Sequence, residues 1–154
     1  MNLWRRLAAV AVVAVAAGGV AVFAPSAETG PPLIRITATE TKYVRTDVGK
    51  EGISPGDVEV ITQLLYNLRI TNAPIGRAEY VCTYMIARAR SCRGIYQLPR
   101  GKLVVGADVR YREIYELAIL GGTGIYSNAA GTLTATRIAV KPKRREYVIF
   151  RLAG

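Results

Sequence analysis

Few side chains in this chain could do chemistry, and the absence of histidine narrows them further. Without imidazole there is no Ser-His-Asp or Cys-His nucleophile pair and no zinc site built on histidine. Two cysteines alone cannot complete a structural zinc site, so no metal is expected. What remains is acid–base chemistry from carboxylates, the thiols Cys82 and Cys92, nine tyrosines and the glycine-rich run Gly121 to Gly131. That run, with Gly121, Gly122, Gly124 and Gly131, resembles a phosphate-cradling loop at first sight. It lacks G-x-G-x-x-G spacing, and Thr132-Leu133-Thr134-Ala135-Thr136 after it has the alternation of a strand, not of a helix. With no helix N-terminus behind it an anion has no dipole to meet. The glycines therefore read as a sharp turn at the end of a strand.

The elements that must position these residues follow from the alternation. From Leu33 onward, short apolar–polar alternation is broken by turn residues about every ten positions, and no stretch sustains a helical period. Eight strands can be read: about Leu33–Thr41, continuing toward Val44, then Asp57–Ile70, Arg77–Ile86, Cys92–Leu98, Lys102–Ala107, Glu113–Leu120, Thr132–Val140 and Tyr147–Leu152. Short turns between consecutive strands favour an antiparallel meander, and eight strands suffice to close it as an up-and-down barrel. The expected class is all-β. Several strands carry apolar residues at both parities, and no helix is available to cover the outer face. Burial against another copy, as a dimer or trimer, is expected.

A different segment precedes the barrel. Basic Arg5-Arg6, the apolar run Leu7 to Phe23 and the small-residue exit Ala24-Pro25-Ser26-Ala27 follow the order of a secretory signal peptide. Residues 1–27 are read as that signal and 28–154 as one barrel domain. The run also approaches the roughly 20 residues of a spanning anchor, although Gly18 and Gly19 weaken it as a helix. The expected location is secreted or cell-surface, with membrane contact only through an uncleaved signal. The chain carries +10, and without Arg5 and Arg6 it holds 19 basic against 11 acidic residues. The charges are spread along an exported chain, so no nucleic-acid partner is expected. The dense run Lys141 to Arg145 reads as a solvated turn, or as a patch drawn to an anionic surface.

In an oxidising compartment Cys82 and Cys92 read first as a disulfide. If the third and fourth strands pair with Cys82 opposite Cys92, both side chains point the same way and Tyr80 faces Gly94. A free thiol in the lumen is the alternative. About a third of the tyrosines are expected to face inward, the others covering strands outside.

From Gly56 onward the chain resembles the allene oxide cyclase family and its wider barrel superfamily, which includes the plant dirigent proteins. The likeness rests on four ordered stretches: Gly56-Asp57 with Thr62-Gln63-Leu64-Leu65-Tyr66; Gly76 before Tyr80-Val81-Cys82-Thr83-Tyr84; Leu98 to Gly106; and Leu117 to Tyr126 with Ala129-Ala130-Gly131. The resemblance implies a hydrophobic unsaturated small molecule held in the lumen and steered by a cofactor-free cyclase (an isomerase) or stereo-directing protein. It places Gln63 at a lumen amide position and points to Glu40, the only acidic residue of the first strand, as the carboxylate. Buried, Glu40 could serve as acid or base; exposed, it would not. Strand parity adds Glu59, Ile61, Leu65 and Asn67 to the face of Gln63, and Tyr80, Tyr84, Tyr96 and Tyr115 complete the expected ligand-binding lumen. A non-catalytic barrel that binds a hydrophobic molecule, or a structural barrel with a packed lumen, is the competing reading.

Overall fold

A computed structural model describes residues 30–69, 72–86, 88–110 and 113–153. The signal segment 1–27 lies outside the described residues. Eight strands form one closed antiparallel barrel in sequence order: β1 (Leu33–Thr46), β2 (Val58–Asn67), β3 (Pro74–Ile86), β4 (Ala89–Leu98), β5 (Gly101–Arg110), β6 (Ile114–Gly122), β7 (Ala130–Ala139) and β8 (Arg145–Ala153). The up-and-down barrel expected from the alternation is thus the fold. The strands are mostly longer than read, because ladder pairing continues through end residues, glycines and alanines among them, that carry no alternation signal. β1 closes onto β8 from Leu33↔Arg151 to Thr39↔Arg145, which leaves neither strand with a free edge.

Period-two alternation sets the inside. On β8, Glu146, Val148 and Phe150 are buried between more accessible neighbours; on β6, Leu117 and Ile119 repeat the pattern. A bulge in β1 between Glu40 and Lys42 shifts the parity there: Glu40 lies opposite Gln63, but Tyr43 lies opposite Ile61 and Lys42 turns outward beside Thr62. The first strand therefore supplies inward residues on both sides of Thr41.

The two ends differ. At one, Gly121-Gly122 ends β6 and a 3₁₀ turn, Gly124–Tyr126, carries the chain to β7, packing the buried Tyr126 ring over the core. Gly124 (φ 65°) and Gly131 (φ 135°) hold left-handed angles, and a Cβ on either would collide with the Arg100 or Arg151 carbonyl. The glycine run is a rim turn. At the other end the loop between β1 and β2 is organised by buried Asp57, whose carboxylate accepts from the Val48 and Ser54 amides (3.0 Å each) and from Arg45 Nη2 (2.9 Å). Those amides and the guanidinium hold the Asp57 carboxyl down, at about 2.

Cys82 and Cys92 are bridged across β3 and β4 in the expected register, with Tyr80 opposite Gly94. The bridge, not a free thiol, occupies this part of the interior. The run Lys141 to Arg145 is only partly a solvated turn. Lys141, Pro142 and Lys143 are exposed, but Arg144 folds inward to an ion pair with Glu146.

Candidate functional site

At the end opposite the glycine turn the barrel interior carries two buried carboxylates, each held by an arginine and by phenols. Glu146 comes from the start of β8. Its Oε2 accepts from Gln63 Nε2 and from the Tyr115 hydroxyl at 2.9 Å each, and from the Tyr80 hydroxyl at 3.5 Å. Its Oε1 accepts from Arg144 Nε at 2.9 Å and pairs with Nη2 at 2.6 Å. Glu59, on β2, accepts through Oε1 from the Tyr43 hydroxyl at 2.6 Å and the Tyr84 hydroxyl at 2.8 Å, and through Oε2 from Arg90. Buried charge persists only when paired and hydrogen-bonded in this way.

The pairs polarise their surroundings in known directions. Burial alone would lower the Arg144 pKa, but the Glu146 charge and hydrogen bond, with the Tyr115 and Tyr80 phenols, together raise it. Burial pushes the Tyr80, Tyr96 and Tyr115 phenols above their usual range, so these hydroxyls stay protonated, and those of Tyr80 and Tyr115 donate to Glu146. Tyr96 stacks on Tyr80 with centroids 6.4 Å apart and meets Phe150 edge-on at 5.1 Å. Its hydroxyl and the Gln63 Oε1 are buried with no hydrogen-bond partner among the described residues.

Glu40 sits between the two pairs, across the ladder from Gln63 and half-buried. It is therefore neither of the extremes considered above. Desolvation raises its pKa; Arg144 draws it back, and the Glu146 and Glu59 charges raise it again. A carboxyl so placed exchanges a proton nearer neutral pH than an ordinary glutamate does. It opens onto a cleft of about 390 Å³ whose walls include Tyr43, Glu59, Arg90, Val140, Lys143 and Arg144. The β7–β8 turn is fixed over this cleft by a backbone bond from the Glu40 amide to the Arg144 carbonyl, 2.8 Å.

Of the residues singled out in the sequence, Gln63, Tyr80, Tyr84, Tyr96 and Tyr115 all point inward, and Glu40 stands at the mouth above them. Asn67 requires a correction. It has the parity of Gln63 but lies at the end of β2, exposed, with its side-chain oxygen accepting from the Arg69 amide in a turn. Tyr84 belongs to the Glu59 cluster and not to the Glu146 cluster. More than a third of the tyrosines face inward, because hydroxyls that reach Glu59 or Glu146 can be buried without losing a hydrogen bond.

Glu146, Arg144, Arg90 and Tyr43 were not anticipated. For Glu146 a signal existed: it shares the parity of Val148 and Phe150, an acidic residue where an apolar one would be routine. Arg90 likewise shares the parity of Cys92 and Tyr96.

A second concavity, a groove of about 740 Å³, lies on the outer wall over β1 to β5. Val44, Val60, Val81, Ile95 and Val104 line it, each partly exposed. Val44, Val60 and Val81 are direct cross-strand neighbours in one row.

No protein-family model matches this sequence, and no curated protein matches it. Solved structures do match in fold. A pyocyanin demethylase is 21% identical with a TM-score of 0.69, over 79% of this chain and 99% of that one. A pterocarpan synthase dirigent protein is 17% identical with a TM-score of 0.63, over 77% of this chain and 84% of that one. The Diels-Alderase AbmU from Streptomyces koyangensis is 16% identical with a TM-score of 0.64 over 79% of this chain, which spans 64% of its length. In fold, this closed barrel is similar to these proteins, a dirigent protein among them, in line with the resemblance carried by the ordered stretches from Gly56 onward.

Proposed function

We propose that the barrel takes a small organic molecule into its charged mouth and directs its cyclisation or coupling without a cofactor, with Glu40 moving the proton. One observation carries this reading: a half-buried carboxyl with a raised pKa opens into a cleft between two fixed carboxylate–arginine pairs. Electrostatic preorganisation of this kind stabilises charge as it develops, because the dipoles need not reorient. Gln63 acts through Glu146: its amide donates to the carboxylate and faces Glu40 across the ladder. The fold supports the reading at family level, since structural neighbours include a dirigent protein and a Diels-Alderase. Fold by itself does not choose the reaction.

Incubation of the protein with a panel of unsaturated lipid, polyketide and phenolic intermediates, followed by chiral product analysis, tests the proposal. Stereoselective product from the parent protein and none from Glu40→Gln, with ligand binding retained, is the expected result. Equal turnover by both proteins would overturn the role of Glu40.

The competing reading is a binding barrel without turnover. It is favoured by an interior filled with side chains: Tyr96, Leu65, Leu103, Leu133 and Phe150 have no measurable exposure. A ligand that co-purifies unchanged would support it. Export through residues 1–27 agrees with the Cys82–Cys92 bridge, and N-terminal sequencing of protein from its own host tests it. Self-association is proposed on the outer valine row, where Val60→Glu should lower the mass seen by light scattering if the row is covered by another copy.

A further inference from the structure

We infer that the mouth carries an anion subsite formed by Lys42 and Lys143, so that the small molecule it takes is an organic acid bearing one anionic headgroup. The inference rests on the mouth being the ligand site. The charge balance of the cleft leads to it. Arg90 is held by Glu59, and Arg144 by Glu146, so both guanidiniums are already neutralised by a carboxylate. Among the described residues Glu40 is the one carboxyl of the cleft not taken up by an arginine in an ion pair, and it faces two lysines. Lys42 and Lys143 line the same cleft, are exposed, and take part in no ion pair among the described residues. Two ammonium groups at the rim thus share at most one carboxyl, which leaves the cleft an excess of positive charge.

Their meeting is a consequence of the fold. The bulge after Glu40 turns Lys42 out to the rim, and the Glu40 amide to Arg144 carbonyl bond draws the β7–β8 turn, with Lys143, over the same opening. Apolar wall from Val140 and Pro142 stands beside them. An anionic head between the lysines would leave the body of the molecule against this wall and its reactive part toward Glu40. The excess positive charge of the chain adds a field that draws anions toward the protein.

The test uses two probes with one ring system: the anionic 1-anilinonaphthalene-8-sulfonate and the neutral N-phenyl-1-naphthylamine, titrated against the full barrel at low and high salt. Amide chemical-shift mapping locates each. The sulfonate should bind more tightly than the neutral probe, with shifts concentrated at residues 40, 41, 43 and 140–144, which do not line the outer groove. Lys42→Gln/Lys143→Gln should weaken the sulfonate about tenfold and leave the neutral probe within about twofold. Arg69→Gln/Lys102→Gln, an equal charge change at the opposite end, should leave the sulfonate affinity within about twofold. Equal affinity for both probes at the mouth, or a sulfonate affinity indifferent to the lysine change, overturns the anion subsite and leaves the mouth as a ligand site. Shifts confined to the outer groove overturn both.

Discussion

The two ends of this barrel are built from the same strands and solve opposite problems. The glycine end is closed by geometry: left-handed angles at Gly124 and Gly131 let the backbone cross tightly, and Tyr126 covers the core. The mouth is lined by charge. There Glu59 and Glu146 are buried under arginines and phenols, and Glu40 is left half-accessible above them. A rim sealed by backbone contacts tolerates almost no change of side chain, whereas a rim of charged groups can be altered singly and can meet a ligand. Stability and chemistry are in this way assigned to different ends of one sheet.

That division can be tested by perturbing each end in turn. Glu146→Ala should have the largest effect at the mouth. It strands Arg144, Gln63 and two phenols without their acceptor, and we expect a loss of about 3–5 kcal/mol in urea unfolding. Phe150→Ala, toward the closed end, should cost a similar amount through a cavity, about 3–5 kcal/mol. Only the Glu146 change should also abolish probe binding at the mouth. If both changes abolish it, the two ends are not separable.

Gly124→Ala and Gly131→Ala come next. A Cβ there meets a backbone carbonyl and a forbidden angle, so each should lower stability by about 1–3 kcal/mol and leave mouth affinity unchanged. Removing the Cys82–Cys92 bridge, whose partners are 10 residues apart, should cost about 2–3 kcal/mol by loop entropy, read as a lower Tm under reductant.

The smallest effects are those of pH, and they have opposite signs. The Glu40 pKa is raised in the fold, so folding favours its protonated form. The stability it contributes is present at low pH and is lost as pH rises from the ordinary glutamate value through the raised one. Asp57 runs the other way. Its folded pKa of about 2 lies below the ordinary 3.8, so its contribution is present above pH 4 and is lost as pH falls toward 2. Unfolding titrations of Glu40→Gln and Asp57→Asn should each remove one slope and leave the other. A Glu40→Gln protein whose pH–stability slope matches the parent would show that this carboxyl is not desolvated.

Much of this was open to reading from the chain. The inward positions of Glu59, Gln63, Tyr80, Tyr84 and Tyr96 follow from parity, because a strand sends alternate side chains to opposite faces whatever surrounds it. The Cys82–Cys92 register follows from one short turn, and the glycine run from the angles that only glycine adopts freely. Asn67 marks the limit of parity, which fixes a face but not how far the core extends along it.

Closure decided the remainder. Glu146 meets Gln63 across 83 residues of sequence and Tyr80 across 66, and nothing local to residue 146 names those partners. Arg144 reads as part of a solvated basic turn until β8 pairs with β1 and brings that turn over Glu40. The bulge at Thr41, which sends Tyr43 inward and Lys42 out, is an irregularity of pairing that alternation cannot announce. Composition and period-two patterning determined the barrel and most of what faces its interior, since both act over a few residues. The charged mouth exists only because a closed sheet brings its first and last strands together.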